Sequence, residues 1–129
     1  MNAKAFIDTN VFVYLYSEDE EWKQKRVYDA IETHDCITSI QVINEFSNVC
    51  LKKLKMPSST VKAAIDEITE GFIVVPIGTD DIKQALTIHE NYGYSYYDSL
   101  ILASALSSGC EYLLSEDMSH DQVIYNQTL

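Results

Sequence analysis

Four carboxylates stand beside apolar segments of this chain, where acidic side chains are uncommon. Asp8 and Asp117 each follow a short apolar run, Glu45 borders the apolar stripe of a predicted helix, and Asp98 lies near the start of another. Like charges gathered in one cleft repel each other, and a bound cation offsets that repulsion. A site of oxygen ligands without His or Cys suits Mg²⁺ or Mn²⁺ and disfavours zinc. Such ions activate water and stabilise charge on a phosphoryl group, so phosphodiester hydrolysis is the natural chemistry.

Each of these acids also has a purely structural interpretation. Asp8 could cap a helical turn near Val11, and Asp98 could complete a capping box three residues after a candidate cap. Asp117 could be an ordinary turn acid. Convergence favours the functional interpretation, because three of the four are expected at or near the same end of a parallel sheet and the fourth on a helix that leaves it.

Hydrophobic periodicity alternates between strand and helix along the chain. The predicted strands are 3–8, 36–39, 72–77, 111–115 and a short 123–125; the predicted helices are 11–16, 19–33, 40–55, Ser58 or Ser59 to Gly71, 79–91 and 96–107. Segment 72–77 has the clearest pattern of a buried strand, and Thr79 and Ser95 are expected as helix caps. This order predicts an α/β fold with a mainly parallel sheet and helices on both faces. In such sheets, ligands bind at the carboxyl ends of the strands, where Asp8 and Asp117 fall.

Composition narrows the possible partners. The chain has 129 residues, enough for a single domain. It carries 9 Lys and Arg against 20 Asp and Glu, a net charge of −11, which argues against a general binder of phosphate backbones.

Three cysteines without a CxxC pair indicate neither a disulfide framework nor a thiolate zinc site, and we expect them in the core. No apolar stretch is long enough for a membrane helix and the start does not resemble a signal peptide, so we expect a cytoplasmic protein without a membrane partner.

Four segments together resemble the motifs of the PIN-domain family, the metal-dependent ribonucleases that include the VapC-type toxins. The segments are FIDTNVFVYL at 6–15, SIQVINEFSNV at 39–49, YSYYDSLILASAL at 94–106 and LLSEDMSHDQVI at 113–124. Any one of them is a weak signal, but the four in this order span almost the whole chain. The resemblance implies a three-layer α/β/α sandwich with a short, mainly parallel sheet.

The resemblance also implies a site and its partners. One or two Mg²⁺ or Mn²⁺ ions would be bound by Asp8, Glu45, Asp98 and Asp117, with Thr9 and Ser115 as hydroxyl groups that assist near the metal or its water. The ions would activate water for attack on an RNA phosphodiester. VapC-type toxins are usually held by a small antitoxin and commonly form homodimers, so we expect an antitoxin, a homodimer and an RNA substrate such as a tRNA.

Part of the sequence departs from the family pattern or stays ambiguous. Many members place a second Asp and a Phe after the last acid, where this chain has Ser119 and His120. Asp121 comes later, and we interpret it as a turn residue.

Lys and Arg side chains cluster within 23–26 and 52–55, either as a basic rim that guides RNA or as ordinary solvated helix faces. Exposed aromatic residues of the early helices could serve an interface or pack in the core.

Three other interpretations compete with a PIN nuclease. A haloacid-dehalogenase-type phosphatase expects a second Asp where Asn10 stands and usually has a longer chain. A receiver-type signalling domain needs a phosphate-contacting Lys after a late strand, for which no clear candidate exists. A PIN-like module without catalytic activity would be expected to have lost one of the four acids.

Overall fold

A computed structural model describes residues 3–17, 25, 28–29, 31–115 and, by their backbone, 122–123. The strands are β1 (Lys4–Ile7), β2 (Asp35–Ser39), β3 (Ile73–Val75), β4 (Tyr112–Leu114) and β5 (Gln122–Val123). The helices are α1 (Thr9–Tyr16), α2 (Ile40–Lys52), α3 (Ser58–Gly71), α4 (Thr79–Tyr92) and α5 (Tyr96–Ser107). Residues 25, 28, 29 and 31–33 are also helical, and the remainder of the helix predicted over 19–33 lies outside the described residues.

The strands form one sheet in the order β3-β2-β1-β4-β5. The first four are parallel to one another, and β5 runs antiparallel to β4. The chain therefore adds β2 and β3 on one side of β1 and then returns to add β4 on the other side. The order of strands reverses between β1 and β4, which is where sheets of this kind bind ligands.

Strand β1 lies at the centre of the core. Three successive residues, Ala5, Phe6 and Ile7, are fully buried. Because successive side chains of a strand point to opposite faces of the sheet, both faces are covered at this point. The predicted α/β/α arrangement with a mainly parallel sheet is confirmed.

Helix α5 is buried over most of its circumference. All eight residues from Ser99 to Leu106 are buried, and the helix packs against α4, β2 and β4. A helix that is apolar all round belongs to the interior of a domain. Its first turn, which carries Asp98, and its last residue, Ser107, reach the surface.

Contacts between aromatic rings fix the position of α1. The ring of Phe12 is fully buried and makes edge-on contacts with Phe46 and Phe72, with centroids 6.2 and 5.1 Å apart. Tyr16 packs against Phe46, so this early aromatic residue contributes to the core. These contacts hold α1 against α2, and the two helices supply Thr9 and Glu45.

Several local predictions were wrong. The segment expected to be the clearest buried strand forms only three residues of β3, at the edge of the sheet, and Ile73 is 61% exposed. Continuous apolar sequence does not distinguish an edge strand from a central one, and Pro76 prevents the strand from extending. Helix α2 ends at Lys52 instead of Lys55, because Lys55 adopts a left-handed conformation with φ 54°.

Two predicted caps are also different. Pro57 precedes α3 without a side-chain cap, so neither Ser58 nor Ser59 caps that helix. Gly78 precedes α4, and its amide donates to the Asp81 carboxylate at 2.9 Å, so Thr79 is the first helical residue. The cap at Ser95 is confirmed: its hydroxyl accepts a hydrogen bond from the Asp98 amide.

Cys50 and Cys110 are buried and Cys36 is partly buried, all as free thiols. Burial raises the pKa of the Cys36 and Cys110 thiols to about 11, which disfavours the reactive thiolate. Among the helices of the described residues, none is both long enough and apolar enough to cross a bilayer.

Candidate active site

The carboxyl ends of β1 and β4 bring two of the predicted site residues together. Asp8 directly follows β1 and Ser115 directly follows β4. The two chain segments are joined here by a backbone hydrogen bond of 3.0 Å from the Asp8 amide to the Leu114 carbonyl. The predicted location at the ends of the strands is thus the point where the strand order reverses.

Asp8 is nearly buried and both of its carboxylate oxygens accept hydrogen bonds. The Thr9 amide donates to Oδ1 at 2.6 Å, and the Ser115 hydroxyl donates to Oδ2 at 2.9 Å. Asp8 thereby caps α1, so its structural interpretation is correct. Capping and a functional role are compatible here, because carboxylate oxygens have further lone pairs for a ligand.

The electrostatic surroundings of Asp8 are unfavourable to its charge. Burial raises the pKa of this carboxyl group above its usual value, and the nearby charges of Glu45 and Asp98 raise it further. The hydrogen bonds from Ser115 and Thr9 act in the opposite direction but do not cancel the effect. A cation bound beside Asp8 would favour the ionised form.

Glu45 is held in a fixed orientation by two neutral donors. The Thr9 hydroxyl donates to its Oε2 at 2.8 Å, and the Gln41 amide donates to its Oε1 at 3.1 Å. Glu45 is partly buried at the border of the apolar face of α2, as its position on the helical wheel predicts. Gln41 was missed in the sequence, although it stands one helical turn before Glu45.

Asp98 approaches from the first turn of α5. Its amide is capped by the Ser95 hydroxyl at 3.2 Å, but within the described residues no hydrogen bond engages its carboxylate. The Ser95 cap forms, but within the described residues the Asp98 carboxylate does not return the second bond that a capping box requires, so that interpretation is wrong and the exposed carboxylate lines the cleft.

These three acids line one cleft with a volume of about 270 Å³. The cleft is lined by the acids Asp8, Glu45 and Asp98, the neutral polar residues Thr9, Asn10, Asn48 and Tyr97, and the apolar residues Val49 and Ile101. No Lys, Arg or His is among these lining residues. Asn10, Asn48 and Tyr97 were not predicted as site residues, because a lone amide or phenol carries no distinctive signal in a single sequence.

The fourth predicted acid, Asp117, lies outside the described residues, as do His120 and Asp121. Before this gap, the last described residue is Ser115, which directly follows β4 and stands two residues before Asp117. The Lys and Arg positions within 23–26 are also outside, apart from the exposed Lys25. Lys52 is the last residue of α2, and Lys53 and Lys55 follow it. All three are exposed, and none of them is among the described residues that line the cleft.

The donor set of the cleft fits a hard divalent cation. Three carboxylates and several neutral oxygens face one space without a basic side chain among the lining residues, which suits Mg²⁺ or Mn²⁺ better than zinc. Within the described part of the chain, however, no three His, Cys, Asp or Glu side chains are close enough to form a complete cage. Any ion held here would need waters or further ligands, as Mg²⁺ usually does.

The family model described as "PIN domain" matches residues 5–124. The chain belongs to the PIN-domain family. This confirms the resemblance seen in the sequence and sets aside the phosphatase and receiver interpretations. Among curated proteins, none matches the PIN domain of this chain.

Solved structures share the PIN fold at low sequence identity. Mycobacterium tuberculosis VapC20, a Sarcin-Ricin loop cleaving toxin, gives a TM-score of 0.71 at 18% identity, over 89% of this chain and 92% of that one. A toxin–antitoxin complex from Klebsiella pneumoniae gives 0.65 at 23% identity, over 86% and 84%. VapBC2 from Rickettsia felis, bound to a DNA fragment from its promoter, gives 0.63 at 14% identity, over 87% and 86%.

Proposed function

We propose that this chain is a metal-dependent endoribonuclease that hydrolyses RNA phosphodiester bonds, the toxin of a toxin–antitoxin pair. The observation that carries the proposal is the convergence of Asp8, Glu45 and Asp98 on one cleft, where none of the described lining residues is basic. These acids come from the end of a strand and from two different helices. Such a cluster of like charges is costly without a cation.

We assign the cation to Asp8, Glu45 and Asp98, with Asp117 as the fourth acid. A bound Mg²⁺ or Mn²⁺ ion would supply a water of lowered pKa and positive charge against the phosphoryl group. Thr9 and Ser115 act as positioning residues, because their hydroxyls donate to Glu45 and Asp8. Each bond leaves its carboxylate with lone pairs for a ligand and fixes the direction in which they point.

The partners follow from the family and from the proteins that share the fold. One of them is a toxin that cleaves the Sarcin-Ricin loop, and others are toxin–antitoxin complexes. We therefore propose an RNA substrate such as a tRNA, a small antitoxin and a homodimeric toxin, in the cytoplasm, with residues 1–129 as one domain. Electrostatic steering by the exposed Lys52, Lys53 and Lys55 stays a prediction.

The test compares wild-type protein with Asp98→Asn on total RNA and on tRNA. Asp98 is the best choice because it is exposed and its carboxylate makes no structural hydrogen bond in the described residues. We expect cleavage with Mg²⁺ or Mn²⁺, none with excess chelator, and a loss of about 100-fold or more in the variant, since metal catalysis contributes several kcal/mol.

The matched control is Asp66→Asn, which removes an equally exposed helical carboxylate on α3 that does not line the cleft. We expect this control to cleave like the wild type. Cleavage that persists in chelator, or that survives in Asp98→Asn, would refute the proposed site. A protein that binds metal and cleaves none of the RNAs would indicate a module that acts only by binding.

A further inference from the structure

The ring of Tyr97 is largely exposed at the edge of the cleft. Tyr97 is 57% exposed, although it lies beside Asp98 in the first turn of α5 and lines the same cleft. The ring of Tyr96, which packs against the core, contacts it edge-on at a centroid distance of 5.4 Å. An aromatic face kept in water at the mouth of a charged cleft has the character of a binding surface.

The backbone that leads into Tyr97 is well fixed. Gly93 caps the end of α4 with a φ of 76°, which favours glycine, and the His89 ring is hydrogen-bonded to the Tyr94 carbonyl. Ser95 then caps α5. A ring presented from such a turn needs little ordering on binding, which favours affinity.

Two neutral amide side chains line the same cleft. Asn10 and Asn48 both line it, and within the described residues neither carboxamide makes a hydrogen bond. Each amide offers two donors and an acceptor without carrying charge. Together with Tyr97 they supply neutral groups to the cleft beside the three carboxylates, and we name these three residues the neutral wall.

We propose that this neutral wall, made of Tyr97, Asn10 and Asn48, binds an unpaired nucleotide of the RNA. The base stacks on the Tyr97 ring, and the amides bond to the edge of the base or to the sugar. This inference rests on the proposed ribonuclease function and names three residues that bind the RNA beside the carboxylates. Bases within a duplex have both faces covered and cannot stack on a side chain.

The charge of the protein supports this form of recognition. Nucleic-acid affinity normally comes from Lys and Arg contacts with phosphates, but this chain has a net charge of −11, and none of the described residues that line the cleft is basic. Stacking and neutral hydrogen bonds need no positive surface, and stacking on an aromatic ring suits any unpaired base. The neutral wall therefore supplies affinity where the carboxylates repel the backbone.

The experiment measures binding of a fluorescently labelled single-stranded RNA of about ten nucleotides, within the usual site sizes. Fluorescence anisotropy is recorded with Ca²⁺ in place of Mg²⁺, a gel verifies that the RNA stays intact, and the matching duplex is the second probe. The variants are Tyr97→Leu, Tyr97→Phe and Asn48→Ala. Tyr28→Leu is the control, because Tyr28 is equally exposed at 54% and does not line the cleft.

We expect Tyr97→Leu to weaken single-strand binding about tenfold, equivalent to roughly 1.4 kcal/mol. Asn48→Ala should weaken it about fivefold, whereas Tyr97→Phe and the control should stay within about twofold. The duplex should bind more weakly and be insensitive to Tyr97. Thermal melting checks the fold, and Tyr97→Gln serves as a second non-aromatic variant if Tyr97→Leu melts early.

Unchanged single-strand affinity in both non-aromatic variants, or duplex binding as tight as single-strand binding, would overturn the inference. Loss of a dimer in Tyr97→Leu on size exclusion, with RNA affinity unchanged, would show that the ring serves a protein interface instead. The two proposals fail separately. Metal-dependent cleavage with unaltered Tyr97→Leu binding refutes only the neutral wall, while Tyr97-dependent binding without any cleavage refutes only the ribonuclease.

Discussion

The hydroxyl of Thr9 donates a 2.8 Å hydrogen bond to Oε2 of Glu45, although 36 residues separate the two in sequence. The same Thr9 donates its amide to Asp8. One residue at the start of α1 therefore fixes the orientation of two carboxylates that line the cleft. The site depends on this connection as much as on the acids themselves.

Thr9→Val is expected to impair cleavage with little change in shape. Valine fills the buried position of Thr9 but cannot donate to Glu45, whose Oε2 loses its hydroxyl partner. We expect cleavage to fall about tenfold and the free energy of unfolding to decrease by about 1 kcal/mol. Cleavage rates and urea unfolding measure both effects.

The control for that variant is Thr87→Val, an identical replacement on the exposed face of α4, where the hydroxyl donates to the Lys83 carbonyl. It should leave the cleavage rate unchanged and alter the free energy of unfolding by no more than about 0.5 kcal/mol. Equal activity of Thr9→Val and wild type would remove the positioning role of the hydroxyl.

Ser115→Ala is expected to move the acid limb of the pH–rate profile to higher pH. The Ser115 hydroxyl stabilises the ionised form of Asp8 and so lowers its pKa, against burial and the neighbouring acids, which raise it. Removing the hydroxyl raises the pKa further, so a higher pH is needed to form the carboxylate. Cleavage rates measured from about pH 5 to about pH 8 would show the shift. The control is Ser107→Ala, whose hydroxyl donates to the Ser104 carbonyl, and it should leave the pH–rate profile unchanged.

The stability of the metal-free protein is expected to depend on the ionisation of Asp8. Folding raises the pKa of Asp8, because burial disfavours its charged form. The stability that this group contributes is fully present below the unfolded pKa of about 3.9 and is lost as pH rises through the folded pKa. In chelator, wild type should therefore lose stability relative to Asp8→Asn between about pH 4 and pH 7.

Urea unfolding of both proteins at the two pH values measures this difference. Adding Mg²⁺ at neutral pH should stabilise wild type and leave Asp8→Asn almost unaffected, because a ligand stabilises only the state that binds it. If the free energy of unfolding depends on pH in the same way in wild type and in Asp8→Asn, the folded protein does not disfavour the charged form of Asp8.

Phe12→Leu is expected to loosen α1 from α2. The buried Phe12 ring contacts Phe46 and Phe72, so its loss leaves a space that the shorter leucine does not fill. We expect a loss of about 1–2 kcal/mol in unfolding free energy, measured in urea. Ile73→Val, at a 61% exposed position on the edge strand, should cost less than about 0.5 kcal/mol. Similar values for the two variants would contradict the packing role of Phe12.

Much of the fold and of the candidate site follows from local patterns. Asp8 after a short apolar run, Glu45 at the border of an apolar stripe and the buried helix after Asp98 each carry a signal in the sequence itself. Parallel topology then brings Asp8 and Ser115 to one edge of the sheet, because the carboxyl ends of β1 and β4 lie side by side. The acids could be placed together on these grounds before their hydrogen bonds were known.

The features that were missed depend on tertiary context. The apolar segment around Ile73 has the composition of a central strand, and only its place in the sheet makes it an edge. Gln41, Asn48 and Tyr97 are ordinary helix residues until the folded chain turns them toward the acids. Asp117 stays a prediction, since it lies outside the described residues.

The most direct test of the metal site needs no knowledge of the RNA target. Calorimetric titration with Mn²⁺ would compare wild type with Asp8→Asn, Glu45→Gln and Asp98→Asn, with Asp66→Asn as the exposed control. We expect wild type and the control to bind Mn²⁺ alike and each cleft variant to bind about tenfold or more weakly. Equal Mn²⁺ affinity in all five proteins, or no binding by wild type, would contradict a metal site built on these carboxylates.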